Sequence, residues 1–257
     1  MQHSRKIRYI IAFLLLSISV LVFVAMNVCI GTVKISLEDI IASIGGGQIN
    51  NSRILWDIRM PRTMAALILG GALALAGYLL QTFFHNPIAG PFVLGISSGA
   101  KMVVALVMVF LMGRAIRVSS LTLIVAAFLG AMISMGFVLL MSRKVNNMSM
   151  LVVSGVMIGY ICSAVTELVV TFANDAEIVN LHNWSRGSFS GMTWDNVIVM
   201  AVVITVTFVI VFFMAKPLSA YQLGESYAQN MGVNIRLLRV ALVILSSILS
   251  ACIVAFA

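Results

Sequence analysis

Charge is what this sequence most lacks. Lys, Arg, Asp and Glu together make up 9% of its 257 residues, where a soluble domain carries about 25%. A chain so poor in charge cannot clothe itself for water, which excludes a soluble enzyme or regulatory domain. Cysteine is scarce too. Cys29, Cys162 and Cys252 stand apart inside apolar stretches with no C-x-x-C spacing, so they read as small buried residues rather than thiolate ligands or a disulfide framework. Histidine is limited to the scattered His3, His85 and His182. There is no H-E-x-x-H motif and no nucleophile–base pair, so nothing supports hydrolysis. No catalytic residue, metal site or cofactor is implied.

What is abundant is apolar sequence: 61% of residues are hydrophobic and mean hydropathy is +1.11. The apolar runs are long enough for helices rather than barrel strands. The expectation is an all-α, polytopic transmembrane helix bundle forming one domain over 1–257. The net charge of +8 then reads as topology signals and docking patches rather than nucleic-acid binding. At about 20 residues per crossing, seven spans are expected, at 9–31, 62–84, 92–112, 118–141, 148–172, 195–215 and 237–257. The first is too long for a signal-peptide core of ~7–15 residues, and Val28 before Cys29 does not suit a cleavage site.

Arg5, Lys6 and Arg8 place the N-terminus in the cytoplasm. Cytoplasmic loops then fall at 85–91, 142–147 and 216–236, and external ones at 33–61, 113–117 and 173–193. The basic count barely supports this orientation. Arg5, Lys6, Arg8, Arg143, Lys144, Lys216, Arg236 and Arg239 lie inside, against Lys34, Arg53, Arg59, Arg62, Arg114, Arg117 and Arg186 outside. The outside cations need another explanation. One is neutralisation by Glu38, Asp39, Asp57, Asp175, Glu177 and Asp195. Another is an acidic partner.

Three segments carry the functional signal. "RMPRTMAALILGGALALAG" opens with Arg59 and Arg62 flanking Pro61. Proline suits a first helical turn, so both guanidiniums are expected in external water. Gly70, Gly71, Ala74 and Gly77 follow at spacings that let helices approach closely, which predicts a packed central helix. "HNPIAGPFVLGISSGA" breaks the chain at Pro87 and Pro91, and its Gly/Ser cluster allows tight packing or an unwound segment. "LGESYAQNMGV" predicts a short cytoplasmic helix over 226–231, with Glu225 at its N-terminal end and Gly232 as its left-handed cap. Tyr227 and Met231, four apart beside Ala228, form either a knob for a partner's groove or the face of a headgroup-bound helix.

Together, in this order and over nearly the whole chain, these motifs resemble the FecCD-type permeases of ABC importers for iron chelates and cobalamin. The resemblance implies that Arg59 and Arg62 contact acidic residues of an external substrate-binding protein. It also implies that Leu223, Gly224, Glu225, Ala228, Gly232 and Val233 belong to the helix coupling to a separate ATPase, within a loop at 217–236. It further implies a second permease subunit, identical or paralogous, and about ten spans per chain. The family continues beyond "AFA" with a G-x-I-x-F-x-G-L-x-x-P-H motif, so a C-terminally truncated chain is expected. Lys101 also departs from the family, where a small or neutral residue follows S-G-A.

Two ionisable residues fall within spans. Glu167 is expected near the external mouth, as a pathway residue, a partner for Arg186, or a carboxylate reaching water. Lys101 is placed near the cytoplasmic end of its span, where it either snorkels or joins an ion pair or pathway. Paired methionines, Met108 with Met112 and Met132 with Met135, read as packing. The function implied is import of an iron chelate (siderophore) through the bacterial inner membrane, with cobalamin or haem as the alternative cargo. A membrane scaffold or sensor remains open. An intramembrane enzyme would need polar groups converging at one depth, and none do.

Overall fold

The computed structural model describes residues 2–31, 33, 52–112, 119–142 and 148–257. Lys34, Glu38, Asp39, Arg114, Arg117, Arg143 and Lys144 lie outside them. Among the described residues the chain is helical. The elements are α1 (Gln2–Cys29), α2 (Ile54–Phe84), α3 (Ile96–Val107), α4 (Ser120–Ser142), α5 (Met148–Thr171), α6 (Asp175–Ser185), α7 (Trp194–Phe213), α8 (Ala215–Gln222), α9 (Glu225–Asn230) and α10 (Ile235–Phe256). Six of these are long and apolar enough to cross a membrane: α1, α2, α4, α5, α7 and α10.

The expected span at 92–112 takes a different form. Its α-helical part has 12 residues, about 18 Å at 1.5 Å per residue, against a hydrocarbon core of about 30 Å. A 3₁₀ turn, Pro91–Leu94, precedes it, and Met108–Met112 continues it as π-helix. The interruption is Gly95, whose φ of +73° suits glycine and no branched residue. Beyond it, α3 is wedged into the fold. A Cβ on Gly99 would lie 1.8 Å from Ser134 Oγ and 2.6 Å from the Gly130 carbonyl, so α3 and α4 touch backbone to backbone.

The chain forms two compact units, Met1–Leu67 with Ser190–Val197, and Ile68–Phe189 with Ile198–Ala257. The second is built around α3, which packs on α4, α5 and α10, while α10 also packs on α4. Its helix α10 buries Ser246, Ser247 and Ser250. Each hydroxyl donates to a carbonyl of its own helix, at Val243 or Ser246, so small polar residues pack without an orphaned donor. The first unit holds α1, the start of α2 and the start of α7. There, Val28 and Leu55 form a small core with Trp56 and Met60, and Trp194 Nε1 donates to the Trp56 carbonyl at 2.8 Å.

The glycine stripe of α2 overturns an expectation. Gly70, Gly71 and Ala74 are exposed and Gly77 is half-buried. A Cβ on any of the three glycines would meet nothing within 4 Å among the described residues. The buried face is instead Leu69, Ala72, Ala76, Leu79, Leu80 and Phe83. Close packing belongs to Gly99 and Gly130, because the rotation of α2 turns its small residues away from its neighbours.

Candidate docking and coupling sites

Pro61 does not begin its helix. The segment Ile54–Arg59 is a π-helical stretch running straight into Met60–Phe84. Proline within a helix lacks the N–H and crowds the carbonyl four residues back, here that of Asp57. The wider turn before it, in which the Met60 N–H reaches the Leu55 carbonyl, accommodates the ring. The joined helix of 31 residues is ~46 Å long, more than a bilayer core needs, so its Arg-bearing end has length to spare.

The two arginines of this end differ. Arg59 is only 8% exposed, contrary to the expectation that it projects into water. Its guanidinium donates to the Val28 carbonyl at 2.5 Å, to that of Cys29 at 3.2 Å, and to that of Val33. Gly31 leaves the room, since a Cβ there would fall 2.5 Å from Arg59 Nη2. Arg59 therefore caps the C-terminal carbonyls of α1, where a cation satisfies both orphaned acceptors and the helix dipole. Thr63 Oγ1, 2.8 Å from Asn27 Oδ1, reinforces the junction. Arg62 is part-exposed, and its Nε, buried in the chain, has no hydrogen-bond partner among the described residues. Among the described residues neither arginine forms an ion pair; the one such pair is Arg239–Glu225. Glu177 is not a counter-ion either. It completes a capping box with Asn174 at the start of α6.

The segment expected to hold one short helix holds two, α8 and α9. Pro217 is tolerated because it falls in the first turn of α8. The cap on α9 is as expected: Gly232 has φ +82°. Its N–H reaches the Gln229 carbonyl while that of Val233 reaches Ala228, the paired bonds of a Schellman motif. Ala228 is buried. Tyr227, Met231 and Leu223 are 48%, 64% and 71% exposed, and they border a shallow groove of about 450 Å³.

Glu225 turns inward rather than toward this groove. It pairs with Arg239 on α10 and accepts from Tyr221 OH at 3.3 Å. Sequence reasoning missed Tyr221, which is 0% exposed. Burial pushes its phenol above the usual 10.0, with Glu225 adding to the shift and Arg239 opposing it. The group therefore stays a donor. The available signal was Leu218 and Tyr221, three apart as on one helical face.

Lys101, Glu167 and Arg186 line one cavity of about 580 Å³, with Ser97, Ser98 and Ser163. None of the three charged groups has an ion-pair partner among the described residues. Placing Lys101 near the cytoplasmic end of its span does not hold. Gly95 packs on Gly159, already 11 residues into α5, or ~17 Å along it. Lys101, six residues beyond Gly95, therefore reaches the level of Glu167 and does not snorkel back past the start of α3. The 3₁₀ turn carries the chain to that depth before α3 begins, with Leu94 and Ile96 buried in protein. The Ser97 hydroxyl, buried and without a hydrogen-bond partner among the described residues, completes the wall.

Comparison with known proteins places this geometry. The FecCD transport family matches residues 18–257. The chain is 32% identical over 243 residues to the vitamin B12 import system permease protein BtuC of Salmonella typhi, covering 95% of this chain and 71% of that one. The corresponding protein of Salmonella newport (strain SL254) gives the same identity and coverage. Among solved structures, a metal-chelate type ABC transporter in an inward-facing conformation superposes with a TM-score of 0.79 at 25% identity, covering 94% of this chain and 74% of that one. In sequence and in fold, the chain belongs to the FecCD transport family, whose permeases are non-catalytic transport subunits.

Proposed function

We propose that this chain is the membrane-spanning permease subunit of an ABC importer for a metal chelate, lying in the bacterial inner membrane with its N-terminus in the cytoplasm. The observation that carries the reading is the exposed apolar face of Leu223, Tyr227 and Met231 on a helix capped at Gly232 and held from beneath. An apolar face on a fixed short helix suits the groove of a partner ATPase. Arg62, with an unpartnered Nε near the other end of α2, is the docking cation for an acidic external binding protein. Arg59 supports it from behind. A second permease subunit completes the assembly. Lys101 and Glu167, which line one cavity with Arg186, are the pathway residues of this reading.

For the cargo, the name of the curated relatives, vitamin B12 import system permease, supports a corrinoid ahead of the siderophore-bound iron expected from the family at large. The test is ATP-driven uptake in proteoliposomes containing the permease, its ATPase and its binding protein, offered cyanocobalamin, a ferric hydroxamate or haem. Saturable uptake of cyanocobalamin alone is expected. Preferential uptake of the hydroxamate or haem would reassign the cargo. Binding-protein association with no ATP-dependent uptake would favour a scaffold or sensor.

A further inference from the structure

We infer that Arg239, Glu225 and Tyr221 form a positioning latch that ties the α8–α9 segment to α10 and α2, so that displacement of α9 is passed to the membrane helices. The inference rests on the reading of the α9 face as the ATPase contact. Its observations are separate: they concern what lies beneath that face.

Helices of eight and six residues do not persist in water by themselves, so something must hold α8 and α9. Four side chains do. The Arg239 guanidinium, from the second turn of α10, reaches both Glu225 on α9 and Tyr221 on α8. Tyr221 OH closes the triangle by donating to Glu225 Oε1 at 3.3 Å. On the other side, the His85 ring lies 4.7 Å from the Tyr221 ring, and His85 Nε2 is 3.3 Å from the Tyr221 carbonyl. Gln222 Nε2 donates to Thr82 Oγ1 at 3.1 Å and to Tyr78 OH at 3.2 Å, both on α2. His85 also holds a φ of +49°, a left-handed conformation uncommon outside glycine, which closes the end of α2 beneath Tyr221.

The triad spans three elements with one charge pair and one hydroxyl. Its root, α10, packs on α3 and α4 at the centre of its unit, and α3 carries Lys101 of the cavity. A push on Tyr227 or Met231 therefore meets a connected path of polar contacts and packed helices. An untethered α9 would yield locally. Glu225 thus acts through Arg239, as a positioning residue rather than a contact to the ATPase.

Two measurements test this. In the isolated chain in micelles, Arg239→Ala should speed amide exchange over 224–232 by at least about tenfold, the loss of ~1.4 kcal/mol of local protection, with α3 and α4 unchanged. Unaltered exchange would overturn the latch irrespective of any partner. In the assembled transporter, Arg239→Ala should keep the ATPase bound while transport per ATP falls about tenfold. Tyr221→Phe should give a smaller loss. The reversed pair, Glu225→Arg with Arg239→Glu, should recover most of what either change alone removes. Equal loss in the reversed pair and the single variants overturns the proposal. If Arg239→Ala does not accumulate, Tyr221→Phe and the reversed pair decide between the same outcomes. Tyr227→Asp with Met231→Asp is the separate control. If that variant retains the ATPase and full uptake, the docking reading fails, while the exchange result still judges the latch.

Discussion

Truncating Arg59 would strand two backbone carbonyls at the C-terminus of α1 and that of Val33 beyond it. Charge-assisted hydrogen bonds of this kind contribute about 1.5–3 kcal/mol, and unsatisfied carbonyls near a membrane boundary have few alternatives. Arg59→Ala is therefore expected to destabilise the α1–α2 junction by roughly 2–3 kcal/mol, seen as a lower unfolding midpoint in detergent. Arg62→Glu should leave that midpoint within experimental scatter. It should weaken association with the binding protein, and raising the salt should narrow the gap between variant and wild type, because exposed charges are screened within about 10 Å at 0.1 M. A binding-protein affinity unchanged at low salt in Arg62→Glu would remove the docking role. An unchanged midpoint in Arg59→Ala would remove the capping role.

Glycine separates two helices of the same composition class at the next scale up. In α3, Gly99 faces the Gly130 carbonyl and Ser134 at distances that no Cβ tolerates, whereas a Cβ on Gly71 in α2 meets nothing within 4 Å among the described residues. The same substitution should act with opposite sign. Gly71→Ala gains helix propensity of about 0.8–1.0 kcal/mol with nothing to clash. Gly99→Ala must separate α3 from α4, an overpacking cost of about 1–3 kcal/mol. Thermal unfolding of both variants in one detergent checks this. A raised midpoint for Gly99→Ala would mean that the crossing is looser than the backbone contact indicates. The other elements show which signals were readable. The N-x-x-E pattern at Asn174 and Glu177 is a capping box in plain sequence, yet α6 follows it within an expected loop because its apolar content is low. The π-helical turn before Pro61 has no sequence signature beyond the proline itself.

Across the whole molecule, Lys101 and Glu167 from two helices and Arg186 from the turn after α6, far apart in sequence, line the same cavity. Two cations and one carboxylate give that wall a positive excess, which suits the phosphodiester of a corrinoid cargo through complementary charge. Lys101→Glu reverses the excess. With the binding protein and ATPase intact, uptake of cyanocobalamin, through its phosphodiester, should fall by about tenfold, or ~1.4 kcal/mol, and uptake of a corrinoid lacking that phosphate should change little. Equal losses for both would assign Lys101 to stability instead.

The sequence alone determined the class of this protein, the approximate limits of its long helices, its family and the exposed face at Tyr227 and Met231. The class, the helix limits and the exposed face depend on hydropathy run length, helical period or local cap chemistry, which a chain carries in neighbouring residues, while the family rests on the resemblance of three motifs in their order. Tertiary structure decided what depends on rotation and depth. Helix α2 turns Gly70 and Gly71 outward, so close packing passes to Gly99 and Gly130. The descent of the chain through Pro91–Leu94 sets Lys101 level with Glu167, a relation that counting residues from a presumed boundary cannot recover. Arg59 and Arg62 lie three apart in one motif, yet only the fold brings the end of α1 within reach of Arg59 and leaves Arg62 Nε without a partner among the described residues. Glu225 likewise depends on Arg239, which stands 14 residues away and meets it only because α10 returns beside α8 and α9.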